Sequence, residues 1–213
     1  MIRIMSQAAV DRHPFLPGTT GWTVHDLADP EIATRWNMGA YEIVEGVLTT
    51  MAPAYFSGGN AAFNLSFFIK LHLREKGLPG RFSHEVDIVL NETRVVRADS
   101  VFLLPGDETR QALAARDRNE TTPQQARLLV PPTLVIESVS PGHETHDRRT
   151  KRVWYAEFGV PNYWIVDAFS KSLECLTLTS GGYILETSAS GEEEIQPRLF
   201  PGLKLNLGEI WRE

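Results

Sequence analysis

Leu134-Val135-Ile136-Glu137-Ser138-Val139-Ser140 leads, through Asp147, Lys151 and Tyr155, to Gly159-Val160-Pro161-Asn162-Tyr163-Trp164-Ile165-Val166-Asp167. The first run is short and apolar with one acid inside it, and reads as a buried strand carrying Glu137. Asp147 to Phe158 has the spacing of a helix. Gly159 and Pro161 end that helix, so Tyr163 to Asp167 must be a new strand. Strand, helix and strand over 133–167 make an α/β unit, whose connection is expected to be a right-handed crossover. A carboxylate inside a buried strand is costly unless it is paired, hydrogen-bonded or bound to a cation.

Outward from this unit, Phe82 to Leu90 sets Val86, Ile88 and Leu90 against Glu85, Asp87 and Val89, the alternation of a strand. A turn at Asn91-Glu92-Thr93 leads into the more apolar Val95 to Leu104, which carries Asp99. Tyr41-Glu42-Ile43-Val44-Glu45-Gly46-Val47-Leu48 reads as two strands hinged at Glu45-Gly46. Phe63, Phe67, Phe68 and Leu71 recur at helical spacing between Asn60 and Lys76, predicting a core helix stopped by Gly77 and Pro79. Thr23 can cap a short helix with Asp26 answering it. Pro105 to Pro123 is polar and reads as a surface excursion with a short helix over Gln111 to Arg116. Leu173 to Leu178 and Tyr183 to Thr187 suggest a closing hairpin across Ser180-Gly181-Gly182. The order is mixed α/β (α+β): one domain over 22–213 behind a flexible arm over 1–21.

A chain of 213 residues, 42% hydrophobic and 23% charged, can bury one core and is short for two. No run approaches the roughly 18 apolar residues of a membrane helix, and Asp11, Arg12, His13 and two prolines stand where a signal peptide needs an apolar centre. A cytoplasmic location with no membrane partner is therefore expected. The single cysteine, Cys175, excludes an intrachain disulfide and a Cys-based zinc site, and its strand-like surroundings read as packing. A net charge of −6 argues against nonspecific coating of nucleic acid or membranes, which rests on many cationic side chains. It is compatible with a cation-dependent enzyme.

Asp99 and Glu137 each interrupt a run that otherwise reads as buried strand. If the two carboxylates converge to about 4 Å, their repulsion is on the order of 4 kcal/mol at an effective dielectric near 20. A divalent cation or a shared proton removes it. Carboxylate oxygens without a cluster of Cys or His favour Mg²⁺ or Mn²⁺ over zinc. The alternative is that both acids sit at strand ends and face water or an arginine. Lys151 shares a helical stripe with Asp147, Tyr155 and Phe158. It can reach back to the carboxylates, orienting water and neutralising charge on a phosphorane-like transition state, or it can pair with Asp147 on the surface. Arg148, Arg149, Lys151 and Arg152 form the densest basic cluster, which is either a phosphate contact or a solvated helix face. Trp154, Tyr155, Tyr163 and Trp164 read as packing, and His84, His143 and His146 lack a tight metal-ligand spacing.

Together, Tyr41-Glu42-Ile43-Val44-Glu45-Gly46, Ala98-Asp99, the 134–167 block with Asp147-x-x-x-Lys151-x-x-x-Tyr155, and the late Phe200-Pro201-Gly202-Leu203 resemble the Uma2 family over about residues 22 to 210. That family is similar in fold to the PD-(D/E)xK nucleases. The resemblance implies a restriction-endonuclease-like core, a central mixed sheet flanked by helices. It also implies Mg²⁺-dependent hydrolysis of phosphodiester bonds in DNA, with Mn²⁺ as a substitute. Asp99 and Glu137 would be the metal ligands, Lys151 the catalytic lysine and Glu42, with Glu45 as the lesser alternative, an additional acid. A homodimer would match the cutting of two strands. Three positions depart from the pattern: Ala98 stands where a proline is usual, no histidine follows Met51-Ala52-Pro53, and Asn162 replaces an acid. The competing expectation is a nuclease-like fold with weak or no catalysis that binds a nucleic acid or protein partner.

Overall fold

The computed structural model describes residues 14–51, 56–117, 127–139 and 146–212. After a 3₁₀ turn at Val24–Ala28, the elements are α1 (Pro30–Met38), β1 (Tyr41–Val44), β2 (Val47–Thr50), α2 (Phe56–Lys76), β3 (Arg81–Asn91), β4 (Arg94–Leu103) and α3 (Pro105–Asp117). They continue with β5 (Leu134–Ser138), a π-helical turn (His146–Lys151), α4 (Arg152–Phe158), β6 (Asn162–Asp167), β7 (Ser172–Thr179), β8 (Gly182–Ser190), β9 (Glu194–Ile195), β10 (Leu205–Asn206) and α5 (Leu207–Ile210).

Among the described residues, eight strands form one sheet in the order β2-β1-β4-β5-β6-β7-β8, with β3 also paired to β4. β5 and β6 are parallel, as a strand, helix, strand unit requires, and the other pairs are antiparallel. β4 meets β1 at Ile43↔Val95 and β5 at Ser100↔Ile136, so one strand brings Glu42 and Glu137 into the same neighbourhood.

Alternation along β5 sends Leu134 and Ile136 to one face and Val135 and Glu137 to the other. The first face is covered by Leu65, Ile69 and Leu73 of α2 and by the C-terminal Phe200 and Leu207. Cys175 lies in this layer, fully buried, and burial pushes its thiol well above the ordinary range. The second face packs Val135, Tyr163 and Ile165 against Trp154 and Tyr155 of α4. A third cluster joins Trp22, Trp36, Ile43, Leu48 and Val95.

Local chemistry explains most boundaries. Asp26 accepts hydrogen bonds from the backbone N–H and the hydroxyl of Thr23, closing the first turn. Glu45 and Gly46 both have positive φ, 51° and 76°, the turn that joins β1 to β2 without splaying them. Gly159 ends α4 at φ 87°, with its N–H on the carbonyls of Tyr155 and Ala156.

Three expectations need correction. Residues 14–21 are not loose: Gly18 N–H donates to the Leu48 carbonyl (2.8 Å), and Leu48 N–H returns a bond to Thr19 (3.0 Å). Residues 1–13 of the expected arm lie outside the described residues. The core face of α2 is Ala61, Ala62, Leu65, Ile69 and Leu73, whereas Phe63, Phe67 and Leu71 are exposed and Phe68 only borders the core. The helix has two apolar stripes, and the smaller residues are the ones that fit against the sheet. The helix expected at Gln111–Arg116 begins already at Pro105, because proline suits the first helical position and buried Asp107 accepts from Leu104 N–H (3.0 Å). Asp107 also accepts from Thr133 N–H (3.0 Å) and so ties α3 to the start of β5.

Candidate active site

Glu137 leaves β5 on the face that α4 covers. The π-helical turn ends at Lys151, and Tyr155 follows four residues later, so the two side chains reach the same carboxylate. Lys151 Nζ lies 3.1 Å from Glu137 Oε1 and 3.6 Å from Glu42 Oε1. The Tyr155 hydroxyl donates to Glu137 Oε1 at 2.6 Å. Glu42 Oε1 also accepts from Arg97 N–H at 3.0 Å, which fixes the β1 acid against β4. Glu137, Lys151 and Glu42 are only 2%, 5% and 6% exposed. One ammonium is thus buried between two carboxylates from different strands. Burial first, and then the charge of Glu137, hold the Tyr155 hydroxyl well above the usual tyrosine range, so it stays a donor.

Asp99 stands on β4 one residue beyond the Ser100↔Ile136 pair, opposite Glu137. Its Oδ2 accepts from Ser138 N–H at 2.6 Å, so this half-buried carboxylate lies against the backbone next to Glu137. All four residues singled out in the sequence therefore gather where β1, β4, β5 and α4 meet. Among the described residues no group of three or more His, Cys, Asp and Glu side chains is arranged to hold a metal. The Asp147 side chain, the alternative partner for Lys151, lies outside the described residues.

The basic cluster at 148–152 is not one surface. Arg148 pairs with Asp167 (3.1 Å) and with Glu174. Burial alone would lower its pKa, but these two acids outweigh that and raise it. Arg152 donates to the Tyr183 carbonyl at 2.6 Å, Lys151 is buried, and Arg149 remains exposed. Asp167, the acid that ends β6, caps the next turn by accepting from Phe169 and Ser170 N–H, both at 3.0 Å. Asn162, in place of the family's acid, donates to the Thr133 carbonyl at 2.9 Å and holds the start of β5 to β6. His84 Nδ1 lies 2.8 Å from Ser100 Oγ; burial, and then Lys70, keep this imidazole below its ordinary value despite Glu85. Of the segment lacking the family histidine, residues 52–55 fall outside the described residues and 56–60 open α2, while His143 and the His146 side chain also fall outside them.

Beside this group lies a second one that the sequence reading passed over. Asp87 accepts from Trp36 Nε1 (2.5 Å) and from Arg97 Nε (2.7 Å), and Arg127 Nε lies 4.0 Å away. The signal was present in the β3–β4 hairpin, whose register sets Asp87 directly opposite Arg97.

A central mixed sheet with helices on both faces makes this a mixed α/β protein with a nuclease-like fold. The chain belongs to the Uma2 family, described as putative restriction endonuclease, which matches residues 31–208. A crystal structure of a putative nuclease belonging to DUF820 from Anabaena variabilis has a similar fold, with a TM-score of 0.62 at 13% identity, covering 82% of this chain and 90% of that one. No curated protein matches the chain. Among the described residues no helix is long and apolar enough to cross a membrane.

Proposed function

We propose that this protein is a Mg²⁺-dependent endonuclease that hydrolyses phosphodiester bonds in DNA. The observation that carries this reading is the buried Lys151 ammonium, 3.1 Å from Glu137 and 3.6 Å from Glu42. Burying a lysine is expensive unless it is paired, and here two carboxylates from different strands pair with it. Asp99 and Glu137, opposed on β4 and β5, would hold the cation; Mg²⁺ takes one or two carboxylates and keeps water in the rest of its shell, so this all-oxygen pair fits, with Mn²⁺ as a substitute. When bound, the cation would polarise the scissile phosphate and activate water. Lys151 would orient that water and neutralise developing phosphate charge, and Glu42 would hold Lys151 in reach.

The test is cleavage of plasmid and single-stranded DNA with Mg²⁺, Mn²⁺ or EDTA. Wild type should cut with either metal and not with EDTA, and Glu137→Ala should not cut at all. Equal cleavage by that variant would sink the reading. One observation favours a second reading, a binding module that does not cut: Arg148, Lys151 and Arg152 all have partners inside the protein. Metal binding without cleavage of any DNA or RNA would support it.

A further inference from the structure

Tyr155 is fully buried, and its hydroxyl shares Glu137 Oε1 with the Lys151 ammonium. The two donors differ in how firmly they are held. Lys151 has a flexible stem and a second acid, Glu42, 3.6 Å away, so it can be shared. The Tyr155 ring is clamped: its centroid lies 5.2 Å from that of Tyr163, which lies 5.8 Å from Tyr183, whose hydroxyl is fixed on the Val160 carbonyl at 2.6 Å. A phenol has few rotatable bonds, and a 2.6 Å bond to a carboxylate is of the strong, charge-assisted kind.

We infer that Tyr155 is a positioning residue that fixes the Glu137 carboxylate through Oε1, so that Lys151 can turn to a phosphate without the carboxylate losing its orientation. This rests on the metal-dependent nuclease reading. Groups that hold a ligand from behind change metal affinity or activity about 10- to 100-fold when removed.

The experiment compares wild type, Tyr155→Phe and Tyr183→Phe, the last removing a buried hydroxyl from the same aromatic row. Mn²⁺ affinity is measured calorimetrically without DNA, and kcat and KM are measured on plasmid. Tyr155→Phe should weaken Mn²⁺ about tenfold and lower kcat about 10- to 100-fold with KM within about twofold, while Tyr183→Phe lowers Tm and leaves Mn²⁺ affinity in place. A low-field hydroxyl proton in the NMR spectrum of the metal-free protein should vanish in Tyr155→Phe alone. If wild type binds Mn²⁺ and cuts, and Tyr155→Phe does both equally well, the inference is overturned and the nuclease reading stands. If wild type neither binds nor cuts, the nuclease reading itself falls and takes the inference with it.

Discussion

Two charged groups meet β4 within a few residues of each other, one at Arg97 and one at Asp99, and they are built in opposite senses. Around Asp87 one carboxylate faces two guanidiniums, Arg97 and Arg127, and the indole N–H of Trp36. Around Lys151 one ammonium faces two carboxylates, Glu42 and Glu137, with Asp99 on the neighbouring strand position. In the first, an acid is surrounded by donors and the arrangement closes an ion pair between β3 and β4. In the second, acids outnumber the base. Like charges crowded in a protein interior cost folding energy, and a cation bound beside them, as the proposed function has it, would offset that cost. The contrast sets a group that closes an ion pair within the fold against the one to which the proposed function assigns the chemistry.

Four changes can break or sharpen that contrast. The largest effect is expected at Glu137: Glu137→Ala should abolish metal-dependent plasmid cleavage while circular dichroism still reports the native fold. Next is Asp87→Ala, which removes the acceptor shared by Arg97 Nε and the Trp36 N–H and the acid that faces the buried Arg127. It should cost about 3–5 kcal/mol, a fall in Tm on the order of 10 °C, with Mn²⁺ affinity of the folded protein unchanged. If it lost metal binding instead, the two groups would be one. Lys151→Ala should slow cleavage roughly a hundredfold with a smaller effect on metal affinity, read from single-turnover rates. The smallest effect concerns Asp167, whose carboxyl burial would raise but which Ser170, Arg148 and Phe169 together hold below its ordinary 3.8. A depressed acid stabilises the fold above its unfolded value and loses that contribution as pH falls through the folded one. Asp167→Asn should therefore lower Tm at neutral pH, and the gap from wild type should close below about pH 3.8, seen in melting curves across pH.

The 134–167 block was enough to place β5, α4 and β6, because an apolar run, a helical stripe and a Gly-x-Pro stop each have one reading. That Lys151 and Tyr155 share a helical stripe was legible for the same reason, since four residues along a helix share a face, but Tyr155 read as packing and its bond to Glu137 was not foreseen. That Glu42 joins them was implied by the family resemblance alone, because nothing in local spacing says that β1 and β5 flank the same strand. Asp87 and Arg97 were readable in principle from the hairpin register, yet an acid alternating with Val86 and Ile88 looks like any solvent-facing strand residue. The burial of α2 misled for a different reason. Phe63 and Phe67 are the more hydrophobic choice, but the space above β4 to β6 admits Ala61, Ala62 and Leu65. Leu65→Ala should accordingly cost about 2–5 kcal/mol in chemical denaturation, and Phe67→Ser no more than about 0.5 kcal/mol.

Cys175 gives the protein one more property. Its thiol is sealed under α2 and held in the protonated form, and the chain has no other. A protein without an accessible thiol should be indifferent to the thiol-alkylating reagents that silence many enzymes. It also offers a clean background for labelling: a cysteine placed at Phe169, 91% exposed beside the Asp167 turn, would be the one site that takes a fluorophore or spin label, on native protein and without removing anything first.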